Sequence, residues 1–390
     1  MYQEITNDIL AVGVNDPDIT LFENQYELPE GMAYNSYLIM DEKVCLMDSV
    51  DLDVKDEWLN NVKEALNGRT IDYIVVQHME PDHSGSLDAI IKEYPDVRIK
   101  TSAQAAKLIG DFFDEDYSDK IDIIKEGDTL SLGSHELTFV AAPMVHWPEV
   151  IMTYDKTAKV LFSSDAFGKF GVRESEPDDW ACEARRYYFN IVGKYGIQVQ
   201  NLLKKVAAFD IEKILALHGP YLPQNEELGF YLDKYQKWST YTPEDEGVAV
   251  IFASIHGQGT KQAAHYISEQ LEAKGIKAPV TDICNDDMHE GIEDAFRYDR
   301  MVLCASSYDA DLFTPMITFL NILRIKNYQK RKVGIIENGA WGPTAGRIMK
   351  QTVEGFKDVE IAEPMVTVRG TLKDDSRAAI DKLVEELSQA

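Results

Sequence analysis

The sequence predicts two domains in tandem: an α+β sandwich of two sheets over residues 1–243, then an α/β doubly wound parallel sheet over residues 247–390. Three observations predict this. The first part is rich in short apolar runs with few helices between them. The segment "QKWSTYTPEDEG" (236–247) is polar, carries Pro243 and Gly247, and reads as a linker. Beyond it, short buried runs alternate with amphipathic helical stretches, the βαβ signature of a parallel sheet.

In the first part "YNSYLIM", "KVCLMDSVD", "IDYIVVQH", "HELTFVAAP", "VIMTYD", "KVLFSSD" and "EKILALHG" read as strands. Helices are expected near 54–66, 86–93 and 101–112, and across 180–208. In the second part "VAVIFAS", "RMVLCASS" and "RKVGIIENG" are short buried strands, and "TKQAAHYISEQLEAKG" is an amphipathic helix closed by Gly275.

Composition narrows the function. The chain has 39 basic against 67 acidic residues, a net charge of −28, which argues against nucleic acid or an anionic membrane as partner. No apolar run reaches membrane-spanning length and "MYQEITNDIL" is no signal peptide, so a soluble cytoplasmic protein is expected. The cysteines (Cys45, Cys182, Cys284, Cys304) are scattered without a CxxC, as expected of buried free thiols. The basic cluster "RIKNYQKRK" (324–332) precedes a strand and reads as a solvated loop.

Four strands end alike. "IDYIVVQ" runs into His78, "LTFVAAPMV" into His146, "KVLFSS" into Asp165 and "KILAL" into His218. One such histidine would be an ordinary loop or core residue. Four tips together, with His78, Glu80, Asp82 and His83 on one short loop, point to a metal site. His135, His265 and His289 read as surface or helix residues.

The loop "HMEPDHSGSL" resembles the HxHxDH signature of the metallo-β-lactamase fold, with Glu80 in place of the second histidine. That variant is similar to the flavodiiron protein family (two-domain, A-type nitric oxide or oxygen reductases), and the similarity continues through "HWP", "SSDAFG", "EARRYYFNI" and "LHGP". The resemblance implies a metallo-β-lactamase-like αββα sandwich holding two irons. His78, Glu80 and His146 would hold one, Asp82, His83 and His218 the other, and Asp165 would bridge them. A carboxylate at position 80 suits this: it is a hard anionic ligand that offsets ferric charge, whereas zinc favours nitrogen and sulfur. Trp147 either packs in the core or lines the substrate pocket. Tyr195 falls where the resemblance implies an outer-sphere tyrosine, and is either a proton source or a core residue.

The second constellation follows the linker. In "VAVIFASIHGQGTKQAA" a strand leads through a Gly- and hydroxyl-rich loop into a helix, and Ser254, His256, Gly257, Gln258, Gly259 and Thr260 would cradle a phosphate. It resembles a flavodoxin-like phosphate loop, one residue longer than the common SxxGNT form. "SSYDADLFTPM" (Ser306, Ser307, Tyr308, Asp309, Leu312) and "ENGAWGPTAG" (Asn338, Gly339, Ala340, Trp341, Gly342) resemble the loops that flank an isoalloxazine ring, with Trp341 offering a stacking face. No GxGxxG with a distant acid follows, which favours a mononucleotide, FMN, over a dinucleotide.

The resemblance implies reduction of dioxygen to water or of nitric oxide to nitrous oxide at the diiron site, fed by FMN. No rubredoxin or flavin reductase extension is seen, so the expected electron donor is a separate rubredoxin, flavin reductase or reduced deazaflavin. The resemblance also implies a head-to-tail homodimer, or a dimer of such dimers. Two other readings remain at this point: a zinc hydrolase fused to a flavodoxin module, and a flavin carrier with a vestigial metal domain.

Overall fold

The computed structural model describes residues 2–175 and 179–389. They form two units. One is the chain up to Tyr188 together with Tyr195–Gln236; the other is Phe189–Lys194 with the chain from Lys237 onward. The polar stretch 236–247 is largely ordered: helix Leu228–Ser239 runs into it and strand Asp245–Ala253 starts inside it.

The first unit holds two sheets. One runs in the order Gln3–Glu4, Ile9–Ala11, Tyr37–Met40, Val44–Met47, Tyr73–Val76, Arg98–Thr101, Ile121–Ile123, and its last four strands are parallel. The other runs Thr129–Ser131, Glu136–Ala141, Ile151–Asp155, Val160–Phe162, Lys213–Leu215, antiparallel except for the final parallel pair. Alternate residues of both sheets meet in one core, among them Tyr37 with Ile39, Cys45 with Met47 and Leu137 with Phe139. Fully burying a side chain of this size contributes about 1.5–3 kcal/mol. That burial fixes strand register, and register fixes which residue stands at each strand tip.

The expected helices are present as Lys55–Leu66, Leu87–Glu93 and Ala103–Phe112. The single helical region expected over 180–208 is interrupted. Trp180–Tyr187 gives way to a π-helical turn, Tyr188–Val192, and a 3₁₀ turn, Gly193–Tyr195, before Gly196–Val206 resumes. Glycines at 193 and 196 favour that interruption.

In the second unit the strand order is Val280–Asp282, Asp245–Ala253, Tyr298–Tyr308, Lys332–Asn338, then Glu360–Ile361 and Val366–Val368, all parallel. The "VAVIFA" stretch is buried throughout, as in a sheet covered on both faces. The chain reverses direction across Asp245–Ala253, so a topological switch point lies between that strand and Tyr298–Tyr308. Among the described residues no helix is long and apolar enough to cross a membrane.

Three sequence expectations are corrected here. Cys45 and Cys304 are buried, but Cys284 is exposed. Arg331, within the basic cluster, is buried and donates to the carbonyls of Tyr241 and Phe296; its charge is neutralised by backbone dipoles instead of water. His135 is likewise buried, with Nδ1 2.6 Å from Asp155 Oδ2.

His135 carries a stability prediction. The hydrogen bond to Asp155 outweighs burial, and the fields of Asp155 and Asp41 and a hydrogen-bonding contact with Asp8 add to it, so its pKa is raised above the ordinary 6.5. The folded chain therefore binds this proton more tightly than the unfolded chain. The contribution is complete below the unfolded value and is lost as pH rises through the folded value. The stability gap between the wild type and His135→Gln, from urea midpoints, is expected to be larger near about pH 6 than near about pH 9. A gap independent of pH would contradict this.

Candidate metal centre

Four strands of the sandwich deliver polar residues to one edge. Tyr73–Val76 leads to His78 and Glu80, Glu136–Ala141 toward His146, Val160–Phe162 to Asp165, and Lys213–Leu215 to His218. Asp82 and His83 lie in the single turn Pro81–Ser84, with Glu80 at its N-cap. Their donor atoms form two groups, His78/Glu80/His146/Asp165 and Asp82/His83/His218, the atoms within each lying within 4.8 Å of one another.

Asp165 reaches both groups. Its Oδ2 lies 3.3 Å from His78 Nε2 and 3.0 Å from His146 Nε2, and its Oδ1 lies 3.1 Å from His83 Nε2. Glu80 Oε2 lies 2.9 Å from His146 Nε2 and 3.2 Å from His78 Nε2. Asp82 Oδ2 lies 3.2 Å from His83 Nε2 and 3.1 Å from His218 Nε2.

The outer ring nitrogens decide what faces this cluster. His78 Nδ1 donates to Glu149 Oε1 at 2.8 Å and His218 Nδ1 donates to the Ala33 carbonyl at 2.8 Å. In each neutral ring Nε2 is then a bare lone pair aimed at carboxylate oxygens. His83 Nε2 and His218 Nε2 also face each other at 3.0 Å. The buried carboxylate oxygens of Asp82 and Asp165 have no hydrogen-bond partner. Lone pairs converging on lone pairs repel, and a cation between them turns repulsion into coordination. The residues fit two metal ions. Nitrogen mixed with three carboxylates suits iron better than a structural zinc site.

Charge tells the same story. Burial opposes protonation of His78, but Asp165, Glu149 and Glu80 outweigh it and raise its pKa well above the ordinary value. The same contest, with Asp165 and Glu80, lifts His146 to about 9. Burial disfavours the Asp165 charge, yet His78, His83 and His146 hold its pKa well below the carboxylate range. Protons and metal therefore compete for these atoms.

Packing holds the tips in place. Buried Asp48 accepts from Gln77 N at 2.7 Å and from His78 N at 3.4 Å. Asn35 Nδ2 donates to the carbonyls of Ala216 and Gly219, both at 2.9 Å, which brace the His218 turn. Trp147 is half-buried with its ring edge-on to His78 at 5.3 Å. Tyr187 is fully buried, its ring 5.6 Å from His218 and its hydroxyl without a hydrogen-bond partner. Tyr187 ends helix Trp180–Tyr187, while Tyr195, the tyrosine singled out in the sequence, caps helix Gly196–Val206. A cavity of about 390 Å³, lined by Leu21, Phe22, Glu23, Tyr34 and Asp51, opens onto Glu80 and Asp82.

The second constellation gathers at the carboxyl edge of the parallel sheet. Ser254, His256, Gln258, Gly259 and Thr260 line a cavity of about 420 Å³ with Ser306, Ser307, Asn338, Gly339, Ala340 and Trp341. Gly257, Tyr308, Asp309, Leu312 and Gly342 do not line it. Leu312 is buried, and Asp309 with Ala310 forms a tight hairpin turn with φ of 51° and 60°. Ser307 Oγ accepts from Thr344 N and Ala345 N, capping helix Ala345–Val353. The Asn338 amide is held by Gly370, with Nδ2 donating to its carbonyl at 2.9 Å and Oδ1 accepting from its N–H at 3.0 Å. Gly370 and Ile255 also line the cavity, and neither was singled out in the sequence. A glycine-walled cradle at a helix N-terminus, open beside an exposed tryptophan, fits a flavin mononucleotide.

Known proteins place this arrangement. The nitric oxide reductase of Moorella thermoacetica is 29% identical over 381 residues, covering 94% of this chain and 92% of that protein. The anaerobic nitric oxide reductase flavorubredoxin of Vibrio vulnificus is 28% identical, covering 90% of this chain and 73% of the relative. In fold, the chain matches the rubredoxin oxygen:oxidoreductase of Desulfovibrio gigas with a TM-score of 0.92 at 23% identity, over 100% of this chain and 98% of that one. It matches the flavodiiron protein of Giardia intestinalis with a TM-score of 0.90 at 20% identity, over 100% and 96%. The family model described as ODP family beta lactamase matches residues 32–239, more than half of the sequence. The chain therefore belongs to the ODP β-lactamase family.

Proposed function

We propose that this protein is a flavodiiron oxidoreductase that reduces dioxygen to water or nitric oxide to nitrous oxide. The observation that carries this is Asp165, whose two oxygens reach both donor groups of a mixed imidazole–carboxylate set that includes Glu80. When bound, the two irons supply Lewis acidity and electrons to a diatomic ligand, and FMN replenishes those electrons.

The chain's own residues do the rest. Glu80, Asp82 and Asp165 offset the charge of the centre. The cavity beside Phe22 and Tyr34 is large enough for a diatomic gas. Burial, with the fields of Asp165, Asp82 and Glu80, pushes the Tyr187 hydroxyl pKa well above its ordinary value. That hydroxyl keeps its proton and is available as a hydrogen-bond donor toward the centre.

The remaining parts of the reading concern assembly and supply. Electrons come from a separate donor, a rubredoxin, a flavin reductase or a reduced deazaflavin. The working form is a head-to-tail homodimer in which the flavin of one chain serves the irons of the other. Exposed apolar residues lining each cavity support this: Trp341, 83% exposed, and Ile255 at one, and Leu21 at the other. Free cysteines fit a reducing compartment such as the cytoplasm. The test is turnover by pre-reduced holoprotein given each gas separately. Consumption of at least one, with water or nitrous oxide as product, is expected; consumption of neither contradicts the reading.

A further inference from the structure

We propose that Glu149 is a positioning residue that makes the two metal positions electronically unequal, by hydrogen-bonding as a carboxylate to the outer nitrogen of His78. The inference rests on the diiron reading above.

Glu149 is 2% exposed. Its Oε1 accepts from His78 Nδ1 at 2.8 Å and from Met79 N at 3.0 Å. Its Oε2 is buried without a hydrogen-bond partner. Its backbone is pinned by Ser102, whose Oγ donates to the Glu149 carbonyl at 2.9 Å while also capping helix Ala103–Phe112. A buried carboxylate with one bare oxygen is costly unless nearby positive charge offsets it. A metal ion held on the far side of the His78 ring would supply such charge.

The imidazoles of the second group have no such partner. His218 Nδ1 donates to a neutral carbonyl, that of Ala33, and the buried His83 Nδ1 has no hydrogen-bond partner. Both belong to the Asp82 group, whereas His78 belongs to the Glu80 group. An imidazole hydrogen-bonded to a carboxylate is the more basic ligand. An iron held by His78, Glu80 and His146 would thus be the more electron-rich, and one-electron reduction of the centre would leave it as the ferric ion. The loop that brings in His146 as a ligand also supplies, three residues on, the partner of another ligand.

The test compares the wild type with Glu149→Gln and Glu149→Ala. A Gln Oε1 can accept both hydrogen bonds, so geometry is kept and only charge is lost. Glu149→Gln is expected to retain both irons, to raise the reduction potential of the centre, and to weaken the localisation of the ferric site in the Mössbauer spectrum of the mixed-valent form. Glu149→Ala is expected to lose about 10–100-fold in affinity at one iron position. Wild-type potential and Mössbauer parameters in Glu149→Gln would overturn the proposal. Should Glu149→Gln shed iron, cobalt(II) titration decides: one position weakened supports the proposal, and both weakened equally overturns it. A wild type that holds no iron would defeat the functional reading itself, whereas a normal wild type beside an unaltered Glu149→Gln defeats only this inference.

Discussion

Replacing Asp165 by alanine is expected to abolish turnover and to deplete both metal positions while leaving flavin bound. Asp165 is fully buried, and its oxygens lie 3.0–3.3 Å from the ring nitrogens of His78, His83 and His146. Without it, each metal loses an anionic ligand and the two lose the group they share. Four imidazoles then face one another with only Glu80 and Asp82 to offset bound cations. Removing a mere outer-sphere partner already costs about 10–100-fold in affinity, so loss of a shared inner ligand should exceed that. The sandwich core is untouched, so the far-ultraviolet dichroism should match the wild type. Iron per chain and gas consumption check the prediction. Retention of both irons in Asp165→Ala would show that Asp165 does not bridge.

Gly259→Ala is expected to empty the flavin site with iron retained. A Cβ at position 259 would lie 1.7 Å from the Gly370 carbonyl oxygen and 2.7 Å from Asn338 Nδ2. Backbone on that side cannot yield as a side-chain tip would. Either the helix start at Gly259 or the Gly370 loop must move, and the Asn338–Gly370 pair breaks with it. Those two hydrogen bonds are worth about 0.5–1.5 kcal/mol each, but the larger loss is the cradle they shape. Flavin absorbance falling below roughly a tenth of the wild type, with iron unchanged, is the expected outcome, in line with a ligand site built on backbone N–H groups. Flavin at the wild-type level would mean that the cavity is not where FMN binds. Co-expressed with Asp165→Ala, Gly259→Ala should form heterodimers that recover activity, because each chain supplies what the other lacks. Verified heterodimers without activity would contradict the head-to-tail assembly.

The metal centre was legible in the sequence because its signal is local. A polar ligand ending an apolar strand is visible wherever it occurs, and His78, Glu80, Asp82 and His83 lie within six positions. The residues of the 254–260 loop that line the second cavity were legible for the same reason. What stayed hidden depends on long-range closure. Glu149 looks like an ordinary loop acid until strand pairing brings it to His78, 71 residues away in sequence. His135 reads as a surface or helix residue until the hairpin folds Asp155 against it. Tyr187 and Tyr195 are separated by turns of changing pitch, which no single helical period predicts. Gly370 follows a short strand near the end of the sheet, and its part in the flavin cavity is set by Asn338, 32 residues earlier. Arg331 sits in a run of basic residues that marks solvent, yet its guanidinium is buried against carbonyls supplied by Tyr241 and Phe296.

The most direct measurement is the metal and flavin content of the purified protein, by elemental analysis and by absorbance of released flavin on the same sample. A bridging carboxylate between two nitrogen–oxygen donor sets, with a mononucleotide cradle in the second unit, predicts about two irons and about one FMN per chain. Zinc in place of iron would favour a hydrolase, and flavin without metal would favour an electron carrier; either result would contradict the account.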